Sequence, residues 1–412
     1  MWEQLEKYRN NFLHLEVKDV LKSSSINCQQ NTEWKEAMEK RGKCKSYPHD
    51  CTPSSPYFND RAQLAYGWFA LPKLMKEMDS DVCLTHWKAI VSLTEFLLNP
   101  LNAQRAITEM DIVRKVKNAF MRMRLRIHKE EYREVETYLK IFNILSRNLN
   151  GAENIANRKC LRNEFYKIIQ NRVPLQEDLA AEILRNLTGK PKVLGIMMED
   201  PDNLISAAVI FQQDRCQPIY PRHFWHHLCH MLELEPERGI ELGLFEFLHS
   251  RIQNRLPFYW CMATKAFALL LRCPEGQRRF DAVDGVKLLY EVFQEIETNP
   301  KKLLHRQKVM SWEFVVLALL NGLHSKRALW RSREFTPLPC YVGRLMSTET
   351  NPRLQVYCLK ALRELGVMPC IKRYIIGNWL EDVRQLFCLD ADAECARDAL
   401  LDWLRRDIAD SS

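Results

Sequence analysis

The chain has 412 residues but only 13 glycines, well below the roughly 7% that is typical of proteins. A shortage of glycine disfavours sheets with many tight turns and favours helices. No apolar run approaches the roughly 18 residues that a membrane span needs. The first residues, Met-Trp-Glu-Gln-Leu-Glu-Lys, are too charged for a secretory signal. We therefore expect a soluble, helical protein of the cytoplasm.

Signatures of catalysis are also missing. The chain has no Gly-x-Gly-x-x-Gly, no phosphate loop, no Gly-x-Ser-x-Gly and no kinase His-Arg-Asp. Gly189-Lys190 lacks the upstream glycine and the following hydroxyl that a phosphate loop requires. We predict that the protein is not an enzyme and binds no cofactor.

The 14 cysteines are scattered and there is no secretory leader, so we predict reduced thiols that act as small hydrophobic residues. Examples are Cys160, Cys261, Cys358 and Cys388. The net charge of +8 comes from 60 basic and 52 acidic residues. This mild excess permits an acidic partner without requiring one.

A short apolar pattern returns along the chain at steps of 38 to 52 residues. A small or medium residue is followed four places on by Leu or Met, and usually by another apolar residue three or four places further. The copies are Ala89, Leu93, Leu97; Ile141, Leu145, Leu149; Ala180, Leu184, Leu187; His227, Met231, Leu234; Ala266, Leu270, Cys273; Val316, Leu320, Leu323; Cys358, Leu362, Leu365; and Ala396, Leu400, Trp403. Offsets of four and seven lie on one helix face, and a period near forty is typical of armadillo and HEAT repeats. The pattern predicts an all-α, armadillo/HEAT-like, right-handed α-solenoid.

The predicted organisation has two parts. Residues 1–59 form an irregular N-terminal extension, with an amphipathic helix from Trp2 to about Leu21 and a loop at 45–56 that contains three prolines. Residues 60–412 form the repeat solenoid, with about eight units. We expect Gly285 to adopt a positive φ between two helices, and we expect lengthened loops or a distorted unit in the proline-bearing stretches 190–260 and 324–345.

One block resembles a known family in specific residues. The matching positions are Ala65-Tyr66-Gly67, Ala70-Leu71, Lys73-Leu74, Glu77, Leu84-Thr85, Lys88-Ala89, Leu93, Leu97, Pro100 and Ala106-Ile107. With them, residues 60–125 resemble the radial spoke head armadillo-repeat family of motile cilia, of the fourteenth-subunit or rhabdoid tumour deletion region type. The long N-terminal segment and the eroded later repeats depart from that family.

The resemblance implies a non-catalytic structural subunit of the axonemal radial spoke. Such a subunit binds other spoke or axonemal proteins, and its place is the cytoskeleton of motile cilia or sperm flagella. Two alternatives stay open. One is a general cytoplasmic armadillo adaptor in signalling or ubiquitin-ligase assembly, and the other is a zinc-dependent or nucleic-acid-directed enzyme.

Two groups of residues have the ligand types of a zinc site. His223, His227 and His230 share one helix face, but His227 belongs to the repeat pattern and no glutamate directly follows the first histidine. The second group is Cys28, Cys44, His49 and Cys51, which lacks the paired Cys-x-x-Cys spacing. We favour packing roles for these histidines and predict no metal site.

Basic residues are concentrated between Arg114 and Arg133. On a helix, Arg122, Arg124 and Arg126 wind around the axis, which favours a solvated repeat edge. The alternative is docking of residues 114–133 on an acidic protein surface such as a tubulin tail. Nucleic acid is disfavoured, because Phe120 is the only aromatic residue between Arg114 and Arg126.

Partner-binding positions are predicted on the long repeat helices. They are Thr85, Trp87, Lys88, Lys265 and Lys360, together with the arginines at 122, 124 and 126. No asparagine stands four residues after Trp87, Trp225, Trp260, Trp312, Trp379 or Trp403. The Trp-Asn clamp of nuclear-import armadillo proteins is therefore not predicted, and most of these indoles are expected to pack between helices.

Overall fold

The computed structural model describes residues 70–80, 82–125, 132–213, 222–254, 260–298, 305–348 and 351–409. In those ranges every regular element is a helix and there is no strand. The helices are α1 (Ala70–Glu77), α2 (Cys83–Leu97), α3 (Pro100–Met110), α4 (Ile112–Leu125), α5 (Tyr132–Arg147), α6 (Leu149–Ala156), α7 (Lys159–Asn171), α8 (Pro174–Thr188), α9 (Pro191–Glu199), α10 (Asp202–Gln213), α11 (Arg222–Leu234), α12 (Pro236–Glu241), α13 (Leu244–Gln253), α14 (Trp260–Leu270), α15 (Pro274–Ala282), α16 (Gly285–Thr298), α17 (His305–Gly322), α18 (Lys326–Ser332), α19 (Leu338–Thr348), α20 (Pro352–Leu365), α21 (Pro369–Gln385) and α22 (Ala391–Ala409).

The N-terminal extension predicted at residues 1–59 lies outside the described residues, as do Cys28, Cys44, His49 and Cys51 of the second zinc hypothesis. The predicted domain boundary between residues 59 and 60 also lies there and stays a prediction. The compact unit described below runs from Leu71 to Ser412.

The helices from α3 to α20 are arranged in triplets, each made of two flanking helices and a third helix. The third helices contact one another in chain order, from α2 through α5, α8, α11, α14, α17 and α20 to α22. We call this series the third-helix ladder. A helix that packs on its sequence neighbours and on the next unit, with no distant partner, defines a solenoid. The predicted all-α, armadillo/HEAT-like solenoid is confirmed for the described residues.

The repeat pattern falls on the third-helix ladder. In α2, α8 and α20 all three pattern residues are buried, because they face the flanking helices and the adjacent third helices. The third position is less regular elsewhere. Leu149 opens α6 and is 46% exposed, and Leu234 ends α11 and is 55% exposed. The first two positions are buried in every copy except the last, where Ala396 is half-buried, and they therefore carry the packing signal.

Prolines mark helix starts in the described parts of the stretches expected to be irregular. Pro191 opens α9 and Pro236 opens α12, and the described residues between them form the helices α9, α10 and α11 of one triplet. The first residue of a helix has no intrahelical partner for its N–H, so proline there costs no hydrogen bond. A distorted unit is not seen in the described residues of 190–260, so that part of the expectation was wrong there. The lengthened loops stay a prediction, because residues 214–221 and 255–259 lie outside the described ranges.

The expected positive φ at Gly285 is also wrong. The left-handed residue is the preceding Asp284, with φ of 50°, and Gly285 is the first residue of α16. Glycine is needed for a different reason, since a Cβ at Gly285 would overlap the ring of buried Phe280. A Cβ at Gly322 of α17 would lie 2.6 Å from the same ring. Phe280 thus fixes the close approach of α15, α16 and α17.

Polar contacts also connect side chains about one repeat apart in the sequence. Arg124 Nε lies 2.7 Å from Glu164 Oε1, and Arg331 Nη2 lies 2.7 Å from Asp284 Oδ2. Further links join Asp111 with Arg158, Asn143 with Glu182, Arg162 with Asp200, and Glu297 with Arg344. Adjacent units are therefore joined by charge as well as by apolar packing.

Candidate functional site

The side of the third-helix ladder that faces away from the core is the main candidate surface. Its residues are exposed or half-buried while their helical neighbours are buried, as expected for a helix with one packed face. Examples on successive third helices are Lys140 of α5, Asp178 of α8, Arg222 of α11, Leu317 of α17 and Lys360 of α20. Helices in successive repeats of the ladder thus present exposed or half-buried side chains.

Five of the predicted partner-binding residues lie on this ladder. Thr85, Trp87 and Lys88 are half-buried on α2, Lys265 is half-buried on α14, and Lys360 is exposed on α20. The positions agree with the idea that they line one surface. Their role in binding a partner stays a prediction.

The predicted basic segment is placed elsewhere. Arg122 and Arg124 are on α4, which is a second helix and not part of the ladder. Arg122 pairs with Asp79, and Arg124 pairs with Glu164 across the boundary between two units. Arg126 lies outside the described residues. These two guanidinium groups are engaged within the chain, so the segment 114–133 has less charge to offer an acidic partner than its sequence suggests.

His227 is a core residue. Its Nε2 lies 2.8 Å from Tyr166 Oη of α7, and its Nδ1 lies 3.3 Å from Thr188 Oγ1 of α8. Burial, with a smaller contribution from His230, lowers the pKa of His227 to about 3. The imidazole is therefore neutral at pH 7 and joins three helices.

This geometry gives the zinc hypothesis no support. Both ring nitrogens of His227 are already within hydrogen-bond distance of hydroxyl groups, so the ring is not directed to a shared site with His223 and His230. Within the described ranges, no three His, Cys, Asp or Glu side chains are grouped so that they could hold a metal ion.

His223, His226 and His230 lie on the half-buried side of α11. Arg185 Nη1 lies 3.2 Å from His223 Nδ1, and the imidazole accepts the hydrogen bond. His230 Nδ1 lies 3.2 Å from Thr188 Oγ1, which also contacts His227. His223 and His230 therefore contact α8, and all three side chains are only half-buried.

Positive charge surrounds His226. Burial lowers its pKa to about 3, and Lys265 of α14, Arg222 of α11 and Arg185 of α8 lower it further. Burial also lowers the pKa of His230, against the opposing effect of the nearby carboxylate of Glu233. We call Arg185, Arg222, His226, His230 and Lys265 the central cationic cluster.

The three permanent cations of this cluster have no carboxylate partner among the residues that the structure describes. Arg185 contacts His223, and Arg222 Nη2 lies 4.0 Å from Met310 Sδ of α17. The Lys265 ammonium lies 5.8 Å from the centre of the Phe314 ring. Each cation therefore retains donors that can reach an external anion.

The thiols near the cluster are not activated. Burial raises the pKa of Cys229 to about 12 and that of Cys261 to about 11. Cys229 lies on the core side of α11, and Cys261 lies beside Ser311. Both sulfurs are protonated at neutral pH and are poor nucleophiles.

Asparagines on the ladder serve a local purpose. Asn186 Nδ2 of α8 donates to Asn143 Oδ1 of α5 at 2.9 Å, and Asn143 Nδ2 donates to Glu182 Oε2 at 2.7 Å. Asn321 Nδ2 of α17 donates to the Ala268 carbonyl of α14 at 2.8 Å. These amides connect neighbouring third helices to each other.

None of the described helices is both long and apolar enough to cross a bilayer. Sequence comparison finds no matching family model and no matching curated protein.

Comparison with solved structures identifies the class of fold. A structure from work on a phosphorylation switch between cadherin and beta-catenin aligns with a TM-score of 0.61 at 12% identity, and the match covers 82% of this chain and 69% of that one. An engineered protein aligns at 0.56 and 13% identity, with coverage of 86% and 92%. A structure of Uso1-2 also aligns at 0.56, with 10% identity and coverage of 86% and 62%. The chain has an armadillo-like helical-repeat fold.

The sequence did not single out Arg185 and Arg222. A lone arginine on a helix is usually a solvated residue, and these two belong to different repeats. The sequence signal that could have found the cluster is the repeat length, because positions 185, 226 and 265 are separated by about forty residues. Stacked repeats bring such positions onto neighbouring helices.

Proposed function

We propose that the protein is a non-catalytic scaffold that binds elongated segments of other proteins along its third-helix ladder. The observation that carries this proposal is the unbroken contact between successive third helices, each of which buries one side and presents the other to solvent. Such a surface is long and open, which suits an extended chain better than a small molecule.

The proposal extends to a place of action. The resemblance of residues 60–125 to the radial spoke head armadillo-repeat family favours a structural subunit of the axonemal radial spoke in motile cilia or sperm flagella, which would bind other spoke or axonemal proteins. The armadillo-like fold is compatible with this role. The alternative of a general cytoplasmic adaptor uses the same surface and differs in its partners.

The scaffold proposal is tested by site-specific photo-crosslinking. A photoreactive residue replaces Lys140 or Lys360, which are exposed on the ladder, or Leu317, which is half-buried there. Matched controls replace Asn163 of α7 and Lys287 of α16, which are exposed on second helices. We expect the same polypeptide to be captured from at least two ladder positions and from neither control. Equal capture from ladder and controls would overturn the proposal.

The spoke assignment is tested separately by localising the tagged full-length chain in a flagellated cell. We expect repeating attachment along the doublet microtubules. A diffuse cytosolic signal would remove the axonemal role and leave the general adaptor.

A further inference from the structure

The central cationic cluster spans three consecutive helices of the third-helix ladder. We call each helix of the ladder a rung. Arg185 comes from α8, Arg222, His226 and His230 come from α11, and Lys265 comes from α14. The two helix pairs are in direct contact, so the cluster is built by the stacking of repeats and not by one helix alone. All five side chains are half-buried or exposed.

The charge of the cluster is not balanced locally. Among the described residues, two carboxylates act on groups of this region: Glu233 acts on His230, and Glu313 of α17 acts on Cys261. Glu313 is itself engaged, since Asn351 Nδ2 donates to its Oε2 at 2.9 Å. Like charges held together on a half-buried surface repel each other. An anion bound between them would relieve that repulsion.

We propose that the central cationic cluster binds an acidic stretch of an extended partner protein, in which carboxylates recur about every third residue. This inference rests on the proposed function, because it assumes that the partner lies along the ladder. It adds the chemical character of the segment and the rungs that recognise it.

The spacing follows from the two geometries involved. Packed helices lie about 8–10 Å apart, and an extended chain advances about 3.3 Å per residue. Carboxylates about three residues apart therefore meet Arg185, Arg222 and Lys265 on successive rungs. Arginine and lysine are the donors that bind carboxylates with charge-assisted hydrogen bonds.

The surroundings favour an acidic peptide over a nucleic acid. Single-stranded nucleic acids bind strongly where aromatic rings are exposed for base stacking between basic residues. Phe224 and Trp225 of α11 are buried: Phe224 stacks on Phe211 of α10, and Trp225 packs against the same ring at a tilt. The cluster offers charge without such a stacking surface.

The test is a binding measurement with defined peptides and the full-length protein. The probe is a fluorescein-labelled peptide of four Ser-Gly-Glu repeats, and its counterparts carry Gln in place of Glu or carry the same four Glu in one run. We expect the spaced acidic peptide to bind most tightly. K265Q and R185Q should each weaken it about fivefold, and the double variant about 25-fold, because the two cations lie on different helices and bind different carboxylates of the peptide.

The matched control is K360Q, which removes the same charge from the same face of α20. It should change the dissociation constant less than about twofold, since it lies outside the three rungs. Thermal unfolding of each variant confirms that the fold is intact. In NMR spectra, bound peptide should raise the pKa of His226, because an anion favours the imidazolium form.

Three outcomes would overturn the inference. The Gln peptide could bind as tightly as the Glu peptide, K360Q could weaken binding as much as K265Q, or oligothymidylate could bind the cluster more tightly than the peptide at about 150 mM salt. If the peptide-binding test fails but crosslinking along the ladder succeeds, only the proposed preference for acidic segments is removed. Failure of crosslinking would remove the scaffold proposal itself.

Discussion

Cations in the early repeats and cations in the central repeats have different partners. In the early repeats Arg124 pairs with Glu164, Arg158 with Asp111 and Arg162 with Asp200, and each pair joins residues of neighbouring units. In the central repeats Arg185, Arg222 and Lys265 have no carboxylate partner within the described ranges, and they surround neutral histidines.

The difference separates two uses of charge in one repeat architecture. Paired cations stabilise the stacking of units, because their charge is neutralised within the chain. The cations of the central cluster form no ion pair between units within the described residues, so they retain their charge for a ligand. Charges that have no partner within the fold are typical of functional sites. The predictions below test this contrast, beginning with the largest expected effect.

The most buried ion pair of the early repeats should contribute most to the free energy of unfolding. D200A removes the carboxylate that pairs with Arg162, whose side chain is only 6% exposed. Leaving a buried guanidinium without its carboxylate should lower the free energy of unfolding by about 3 kcal/mol. Urea titration measures the loss. D202A is the control, because this carboxylate is 54% exposed and pairs with exposed Lys159, and its effect should stay below about 0.5 kcal/mol.

His227 should make stability depend on pH. Its folded-state pKa of about 3 is below the value of about 6.5 expected in the unfolded chain. The unfolded chain therefore takes up the proton first as pH falls, and stability present above pH 6.5 is lost progressively toward pH 3. Between pH 7 and pH 5 the contribution is about 2 kcal/mol.

The H227Q variant isolates that contribution. The change in unfolding free energy from pH 7 to pH 5 should be about 2 kcal/mol smaller in H227Q than in the wild type. Loss of the Tyr166 and Thr188 contacts affects both pH values alike, so the difference between them is diagnostic. An unchanged pH dependence would show that His227 is not the neutral core residue described above.

The Arg124–Glu164 pair should contribute a smaller amount. Its carboxylate is 9% exposed and its guanidinium 29%, so the pair is intermediate between surface and buried ion pairs. A double-mutant cycle with R124Q and E164Q should give a coupling of about 1 kcal/mol. R185Q is the central counterpart, and it should change stability by less than about 0.5 kcal/mol. A large loss of unfolding free energy in R185Q would show that Arg185 stabilises the stacking of repeats.

Arg122 should have the smallest effect. It pairs with Asp79 at a site where both side chains are more than half exposed. R122Q should change the unfolding free energy by less than about 0.5 kcal/mol, since solvent screens such pairs. It should also leave acidic-peptide binding unchanged. Weaker peptide binding in R122Q would support the prediction that the basic segment 114–133 binds an acidic partner.

Much of the fold could be predicted because its signal is periodic. The pattern at Ala89, Leu93 and Leu97 reports one buried helix face, and its return every forty or so residues reports stacking. The expectation for Gly285 failed because the ring of Phe280, not the backbone turn, determines that position.

The site was less predictable because its contacts cross repeats. Tyr166 contacts His227 across 61 residues, and Glu164 neutralises Arg124 across 40. A single sequence shows which residues are charged, but it does not show which charges meet a partner after stacking. The difference between Arg124 and Arg185 is visible only in three dimensions.

The most direct test measures two properties in two variants, R124Q and K265Q. We predict that R124Q lowers the free energy of unfolding by about 1 kcal/mol and leaves the dissociation constant of the spaced acidic peptide unchanged. We predict that K265Q weakens peptide binding about fivefold and leaves stability unchanged. Equal effects of the two variants on both properties would contradict the division between stacking charges and binding charges.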